Sequence, residues 1–159
     1  MTKQEFKNLF KAGPLILDGA TGSNLRVMGM PVGVCTEKWV NEHPEVLQKL
    51  QKAYVDAGSM AVYAPTFMAN RISLKNVGLE EEIKRLNLEN VKISKDAVGD
   101  RALVAGNLST TSQPLEPVGT MTYDMLLENY KEQIRYLAEA GVDYLAAELG
   151  ISRSGLFSK

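Results

Sequence analysis

Four short apolar runs recur along this chain at a nearly constant interval, and that repeat limits the fold more than any other feature. The runs cover residues 14–18, 60–64, 102–106 and 143–148, each the length of a buried strand. They give way to loops at Asp18, Ala64, Asn107 and Glu148, which stand 46, 43 and 41 residues apart. Helical patterns fill the intervals. His43-Pro44-Glu45 opens one, with Val46, Leu50, Ala53, Tyr54 and Ala57 at helical spacing and Gly58 just past its end. A second runs from about Leu79 to Val98 and stops at Gly99. A third carries Leu127, Tyr130, Ile134, Leu137 and Ala138 and stops at Gly141. Strand, loop and helix repeated with short returns predict parallel strands in the order 1-2-3-4, with crossover helices packed on one face.

Four such units are half of a (β/α)8 barrel, which normally takes about 250 residues. At 159 residues the expectation is an α/β fold: the truncated first half of a TIM-type barrel, with four parallel strands. Residues 1–148 form the partial barrel in this reading, and 149–159 an atypical serine-rich tail. Strands 1 and 4 would be open edges, and Ile16, Val62, Val104 and Leu145 would be exposed inward side chains. Self-association, or a second chain completing the barrel, is the expected consequence. Residues 3–11 predict a short amphipathic helix that closes the bottom, with Phe6, Leu9 and Phe10 on one side. Residues 26–33, with their glycines and proline, predict a long irregular connection.

The chemistry concentrates where the first run breaks, in Leu17-Asp18-Gly19-Ala20-Thr21-Gly22-Ser23. A carboxylate stands at the strand end, the edge on which parallel α/β folds build their sites, and the glycines let a ligand approach bare amides. Asp18 and Glu148 end strands on the same face, so both acids are placed to point toward the mouth and suit an ammonium group. The amides after Asp18, at Gly19 and Ala20, suit a carboxylate. Thr66, Phe67 and Asn70, on the loop after the second strand, are placed to line the pocket. Trp39 and the methionines read as core.

Composition excludes several classes. The net charge is −1, with no basic block, so nucleic acid and anionic membranes are not expected partners. No apolar stretch reaches the roughly 18–20 residues of a membrane span, and the N-terminus lacks a signal-type apolar region. One cysteine, Cys35, precludes an internal disulfide and fits a reducing, cytoplasmic location. It is also too few for a thiolate metal site, and His43 stands in a different element, so no metal ligand is expected here.

Four strings share a common likeness: Leu17-Asp-Gly-Ala-Thr-Gly-Ser23, Val34-Cys-Thr-Glu-Lys-Trp-Val-Asn-Glu-His-Pro-Glu-Val-Leu47, Tyr63-Ala-Pro-Thr-Phe-Met-Ala-Asn-Arg71 and Ala140-Gly-Val-Asp-Tyr-Leu-Ala-Ala-Glu148. In this order they resemble the homocysteine S-methyltransferase family, most closely the N-terminal module of cobalamin-dependent methionine synthases. The resemblance implies a zinc-containing barrel that moves a methyl group to the sulfur of homocysteine, giving methionine. It implies substrate contact by Asp18 and Glu148, with the zinc held by three cysteines in the second half of the family barrel. Cobalamin and methyltetrahydrofolate would enter through other modules. The departures are Pro65 and Met68, where the family carries Asn and Gly, the string Gly106-Asn-Leu-Ser-Thr110, and Leu149 after the fourth strand. The resulting expectation is an incomplete half of the enzyme, inactive alone. The alternative is a non-catalytic half-barrel: a remnant, or an interaction module that a partner chain completes.

Overall fold

The computed structural model describes residues 1–11, 13–111 and 113–148, and the expected tail over 149–159 lies outside the described residues. The elements in chain order are α1 (Lys3–Leu9), α2 (Thr21–Val27), α3 (Thr36–Glu42), α4 (Pro44–Asp56), β1 (Ala61–Ala64), α5 (Arg71–Lys75), α6 (Ile83–Val98), β2 (Leu103–Ser109), α7 (Tyr123–Glu139) and β3 (Tyr144–Glu148). The sheet is parallel throughout, in the order β1-β2-β3.

The expected first strand is not a fourth member of this sheet. Residues 14–18 run beside β1, with the Met60 N–H donating to Ile16 O (2.7 Å) and the Asp18 N–H to Ala61 O (3.0 Å). They make one parallel bridge, Leu17 with Ala61. The next ladder donor, the Tyr63 N–H, goes to the Asp18 carboxylate (3.1 Å) rather than to a backbone carbonyl. A side chain has replaced the ladder bond, and the chain peels away at Gly19. β2, by contrast, runs three residues beyond its expected end, because β3 keeps pairing as far as Ser109 opposite Glu148.

The stretch expected to be irregular holds a helix at its start. α2 spans Thr21–Val27 despite Gly22 and Ser23, weak helix formers whose cost is met by tertiary packing. Its Leu25 is fully buried in a cluster with Met30, Val40, Leu47 and Leu50, which joins α2, α3 and α4. The first crossover therefore contains three helices. The predicted helix stops hold: Gly58 and Gly141 follow α4 and α7 with φ of +106° and +76°, a conformation that only glycine adopts without strain.

The main core lies between the sheet and α6 with α7. Val62, Val104 and Leu108 meet Val91, Ala97, Val98 and Leu137 there. In α6 the buried positions 83, 86, 87, 90, 91, 94, 97 and 98 trace one face at 3.6-residue spacing. Val62 and Val104 thus face the helices and are fully buried, contrary to the expectation that they are exposed inward residues. Leu145 shares their side, since a Cβ on Gly106 would lie 3.0 Å from Leu137 and 3.2 Å from Leu145. Ile16 and Leu145 are exposed, at 54% and 41%, but Leu145 lies on the helix-facing side and not the inward one. The other sheet face carries Tyr63, Ala105 and Tyr144 in register. Phe6 of α1 leans on that face, its ring centroid 5.2 Å from that of Tyr144. No helix among the described residues is long and apolar enough to cross a membrane.

Candidate functional site

A cleft of about 530 Å³ opens at the C-terminal ends of the strands. Its walls are the Asp18–Gly22 turn, the start of α3 at Thr36 and Glu37, the segment after β1 with Pro65, Phe67 and Met68, and the strand residues Tyr63, Asn107 and Glu148. A larger cleft of about 780 Å³ lies at the opposite end, against Leu9, Leu15, Met60 and Leu103. Size does not decide between them. In the larger cleft Asp143 already accepts the Val104 N–H (2.8 Å) and Arg101 is paired with Asp56 (2.6 Å). The smaller one holds polar atoms with nothing to bind.

Those atoms are acceptors. Asp18 gives Oδ2 to the Tyr63 N–H, but its Oδ1 is buried without a partner. Asn107 donates its amide N–H to Glu148 Oε1 (3.3 Å), which leaves its own Oδ1 buried and unpaired. Among the described residues no Lys, Arg or His lines the cleft. Burial pushes the Asp18 carboxyl up to about 6, opposed by the Tyr63 N–H and aided by the negative charge of Glu148. Below them Tyr144 is pushed up to about 12, mainly by burial, with Tyr63 and Asp18 adding to it. The site is an acceptor-rich, acidic recess.

The turn that presents Asp18 is shaped by Tyr54 of α4. Its hydroxyl donates to Ala20 O (3.2 Å) and accepts from Asn24 Nδ2 (2.9 Å). A Cβ on residue 19 would lie 2.8 Å from that hydroxyl, so any side chain there must displace Tyr54, and glycine suits the close approach.

Residues 15–152 match the homocysteine S-methyltransferase family. The chain belongs to that family. Betaine–homocysteine S-methyltransferase 1 of Mus musculus is 29% identical over 145 residues, covering 86% of this chain and 35% of the mouse protein. Methionine synthase of Mycobacterium tuberculosis is 24% identical, covering 84% of this chain and 12% of that protein. The metallated form of the homocysteine methyltransferase MmuM from Escherichia coli superposes with a TM-score of 0.74 at 20% identity, over 90% of this chain and 56% of that one. This homocysteine S-methyltransferase family chain therefore spans about a third, or less, of the length of these curated relatives and about half that of its structural neighbour.

Of the residues that the sequence singles out, Asp18, Gly19, Ala20, Phe67 and Glu148 meet at the cleft. Thr66 and Asn70 do not reach it. Both are fully buried. Thr66 Oγ1 donates to Asn107 O (2.9 Å) and accepts the Asn107 N–H (3.0 Å), tying the loop to β2. Asn70 caps α5 by accepting the Ser73 N–H (2.9 Å).

Sequence reasoning does not anticipate how the wall at 63–69 is held. Past the end of β1 its carbonyls have no ladder beside them, and where such groups are buried they must find partners. Helix side chains supply most of these. Gln51 of α4 donates to Tyr63 O (3.0 Å), Asn90 of α6 to Pro65 O (3.1 Å), Gln133 of α7 to Thr66 O (2.7 Å) and Asn87 of α6 to Ala69 O (2.8 Å). Ser109 donates to Phe67 O (2.6 Å), and the Met68 N–H goes to Glu37 Oε1 (2.7 Å). The available signal is a set of polar residues at core-facing helix positions.

The soft donors present do not fit a metal at this cleft. The Cys35 thiol donates to Glu37 Oε2 (3.4 Å), and burial, with the Glu37 carboxylate beside it, pushes it up to about 11. Cys35 also packs beside Leu74, Ile83 and Leu86. His43 stacks on Trp39 at 4.4 Å with its Nδ1 against Trp39 O. Among the described residues no group of three His, Cys, Asp or Glu stands together.

Proposed function

We propose that this cleft holds the amino-acid end of homocysteine, with the α-ammonium between Asp18 and Glu148 and the carboxylate against the Gly19 and Ala20 backbone. Phe67 borders the side chain, while Thr66 and Asn70 support the wall. The observation that carries this reading is the buried, unpaired Oδ1 of Asp18, which shares the cleft with the unpaired Oδ1 of Asn107 and with Glu148. Buried acceptors left without donors are costly, and an ammonium supplies three N–H groups.

The reaction of the complete domain is methyl transfer to the homocysteine sulfur: the bond between the methyl group and its donor breaks as the S–CH3 bond forms, the donor leaves demethylated, and the sulfur loses its proton to become the thioether of methionine. A thiol is a poor nucleophile near neutral pH, and thiolate-rich zinc lowers its pKa. The described residues furnish no such ligand set, so this chain is proposed to bind the amino-acid end and not to complete transfer by itself. A second chain or self-association that adds the rest of a barrel is the accompanying proposal, supported by Ile16 and Leu145 lying exposed at the two sheet margins. A reducing, cytoplasmic compartment suits its lone thiol.

Calorimetric titration with homocysteine tests the site. Asp18→Asn and Glu148→Gln should each weaken binding on the order of 10- to 100-fold, the worth of a charge-assisted hydrogen bond. Unchanged affinity in both variants, or no binding by the parent chain, would sink the assignment.

A further inference from the structure

We infer that Glu37 is a positioning residue for this cleft: its buried carboxylate fixes the Met68 amide, and through it the wall that faces the ligand. Glu37 sits in the first turn of α3 and is 3% exposed, and no ion pair to it exists among the described residues. An unpaired buried carboxylate is expensive and is kept only where hydrogen bonds hold it. Here Oε1 accepts the Met68 N–H (2.7 Å) and Oε2 the Cys35 thiol (3.4 Å).

The connection is doubled. Asn90 of α6 donates both to the Glu37 carbonyl (2.9 Å) and to Pro65 O (3.1 Å), so one amide joins the α3 backbone to the same wall. The other clamps on residues 63–69, Gln51, Asn87, Gln133 and Ser109, all hold carbonyls. Glu37 holds an N–H instead, at Met68 in the middle of the wall, as Asp18 does for Tyr63 at its start, and it lines the cleft itself. Met68 and Phe67, on either side of that bond, face the same space. Losing the acceptor frees the middle of the wall while leaving its ends tied.

The inference rests on the proposed homocysteine site for one of its readouts only. The test compares the full chain with Glu37→Gln, which keeps an acceptor of the same reach, and Glu37→Met, which fills the volume without one. Three quantities are measured: melting temperature, hydrogen exchange of the Met68 amide by NMR, and homocysteine affinity. Glu37→Gln should match the parent within about twofold in exchange and affinity. Glu37→Met should stay folded, because release of a buried carboxylate offsets the loss of an acceptor for the Met68 N–H. Its Met68 amide should exchange roughly 10- to 100-fold faster, with affinity reduced by about tenfold or more. If Glu37→Met does not fold, Glu37→Asp, one carbon too short for the amide, carries the same expectation.

Met68 protection and affinity both unchanged without the acceptor overturn the inference. So does a Glu37→Gln that loses affinity while Met68 stays protected, because Glu37 would then act on the ligand through its charge. If the parent binds no homocysteine, the site reading falls, and Met68 exchange alone still decides the role of Glu37.

Discussion

Replacing Asp18 by Asn should make this protein more stable and its cleft less able to bind. The carboxyl is raised from an ordinary value near 3.8 to about 6, chiefly by burial, so the folded chain holds that proton more tightly than the unfolded chain. Stability from this group is therefore full below about pH 3.8 and is lost as pH rises through about 6. At full burial such a shift is worth about 3 kcal/mol against the ionised form. The carboxyl stands at a cleft open to water, so about 1–2 kcal/mol is the realistic figure. Asn is neutral at every pH and keeps an oxygen for the Tyr63 N–H. Urea unfolding of parent and variant, run in steps from pH 4 to 8, isolates this contribution because other carboxylates cancel in the difference. The two should coincide near pH 4 and separate to about 1–2 kcal/mol in favour of the Asp18→Asn variant above pH 7. A gap that is flat with pH, or that favours the parent at pH 8, would refute the reasoning. Gained stability with lost homocysteine affinity would mark Asp18 as a residue kept for binding at a cost to the fold.

Other residues yield sharper local tests. Gly19→Ala should cost about 1–3 kcal/mol in thermal unfolding, because its Cβ meets the Tyr54 hydroxyl at 2.8 Å and ring carbon at 2.9 Å, and Tyr54→Ala should recover part of that loss. The Cys35 thiol, pushed up to about 11, should react with iodoacetamide at pH 8 roughly a hundredfold more slowly than a free thiol and reach the ordinary rate in urea. The same protonated thiol predicts that the purified, washed chain retains no stoichiometric zinc by metal analysis, and one tightly held ion per chain would contradict the donor chemistry read from Cys35 and His43.

How far the fold is legible follows from which signals are local. β1, β2, β3 and the long helices α4, α6 and α7 announce themselves through apolar period and through the glycines at 58, 99 and 141. The failure at residues 14–18 comes from a decision that no periodicity records. The run Leu15-Ile16-Leu17 is as apolar as any strand, yet a ladder needs successive backbone partners, and Asp18 takes over the next one with its side chain. Pro14 also offers no N–H at the other end. α2 escapes notice for the converse reason. Its glycine and serine read as loop, while the burial of Leu25 that holds the helix depends on Val40, Leu47 and Leu50, at a distance in the chain.

The site shows the same division between strand ends and what supports them. Asp18 and Glu148 are visible as candidates because each is a carboxylate at the C-terminal end of an apolar run, the edge on which parallel α/β folds build their sites. Thr66 and Asn70 occupy the same kind of position, but the loop that they belong to is buried, and a buried loop uses its polar side chains on its own backbone first. What distinguishes the two cases lies elsewhere in the chain. Gln51, Asn87, Asn90 and Gln133 each interrupt the apolar face of a long helix, and singly each reads as a tolerated polar residue. All four converge on the backbone of residues 63–69, from the end of β1 into the irregular segment after it, and such convergence means that the shape of this stretch is held by side chains. Glu37 completes the set, hidden from sequence reasoning because an acidic residue in the first turn of a helix is already explained by the helix dipole. An unexplained polar residue on a helix core face is thus a pointer to the wall of a site, even when it never touches what the site binds.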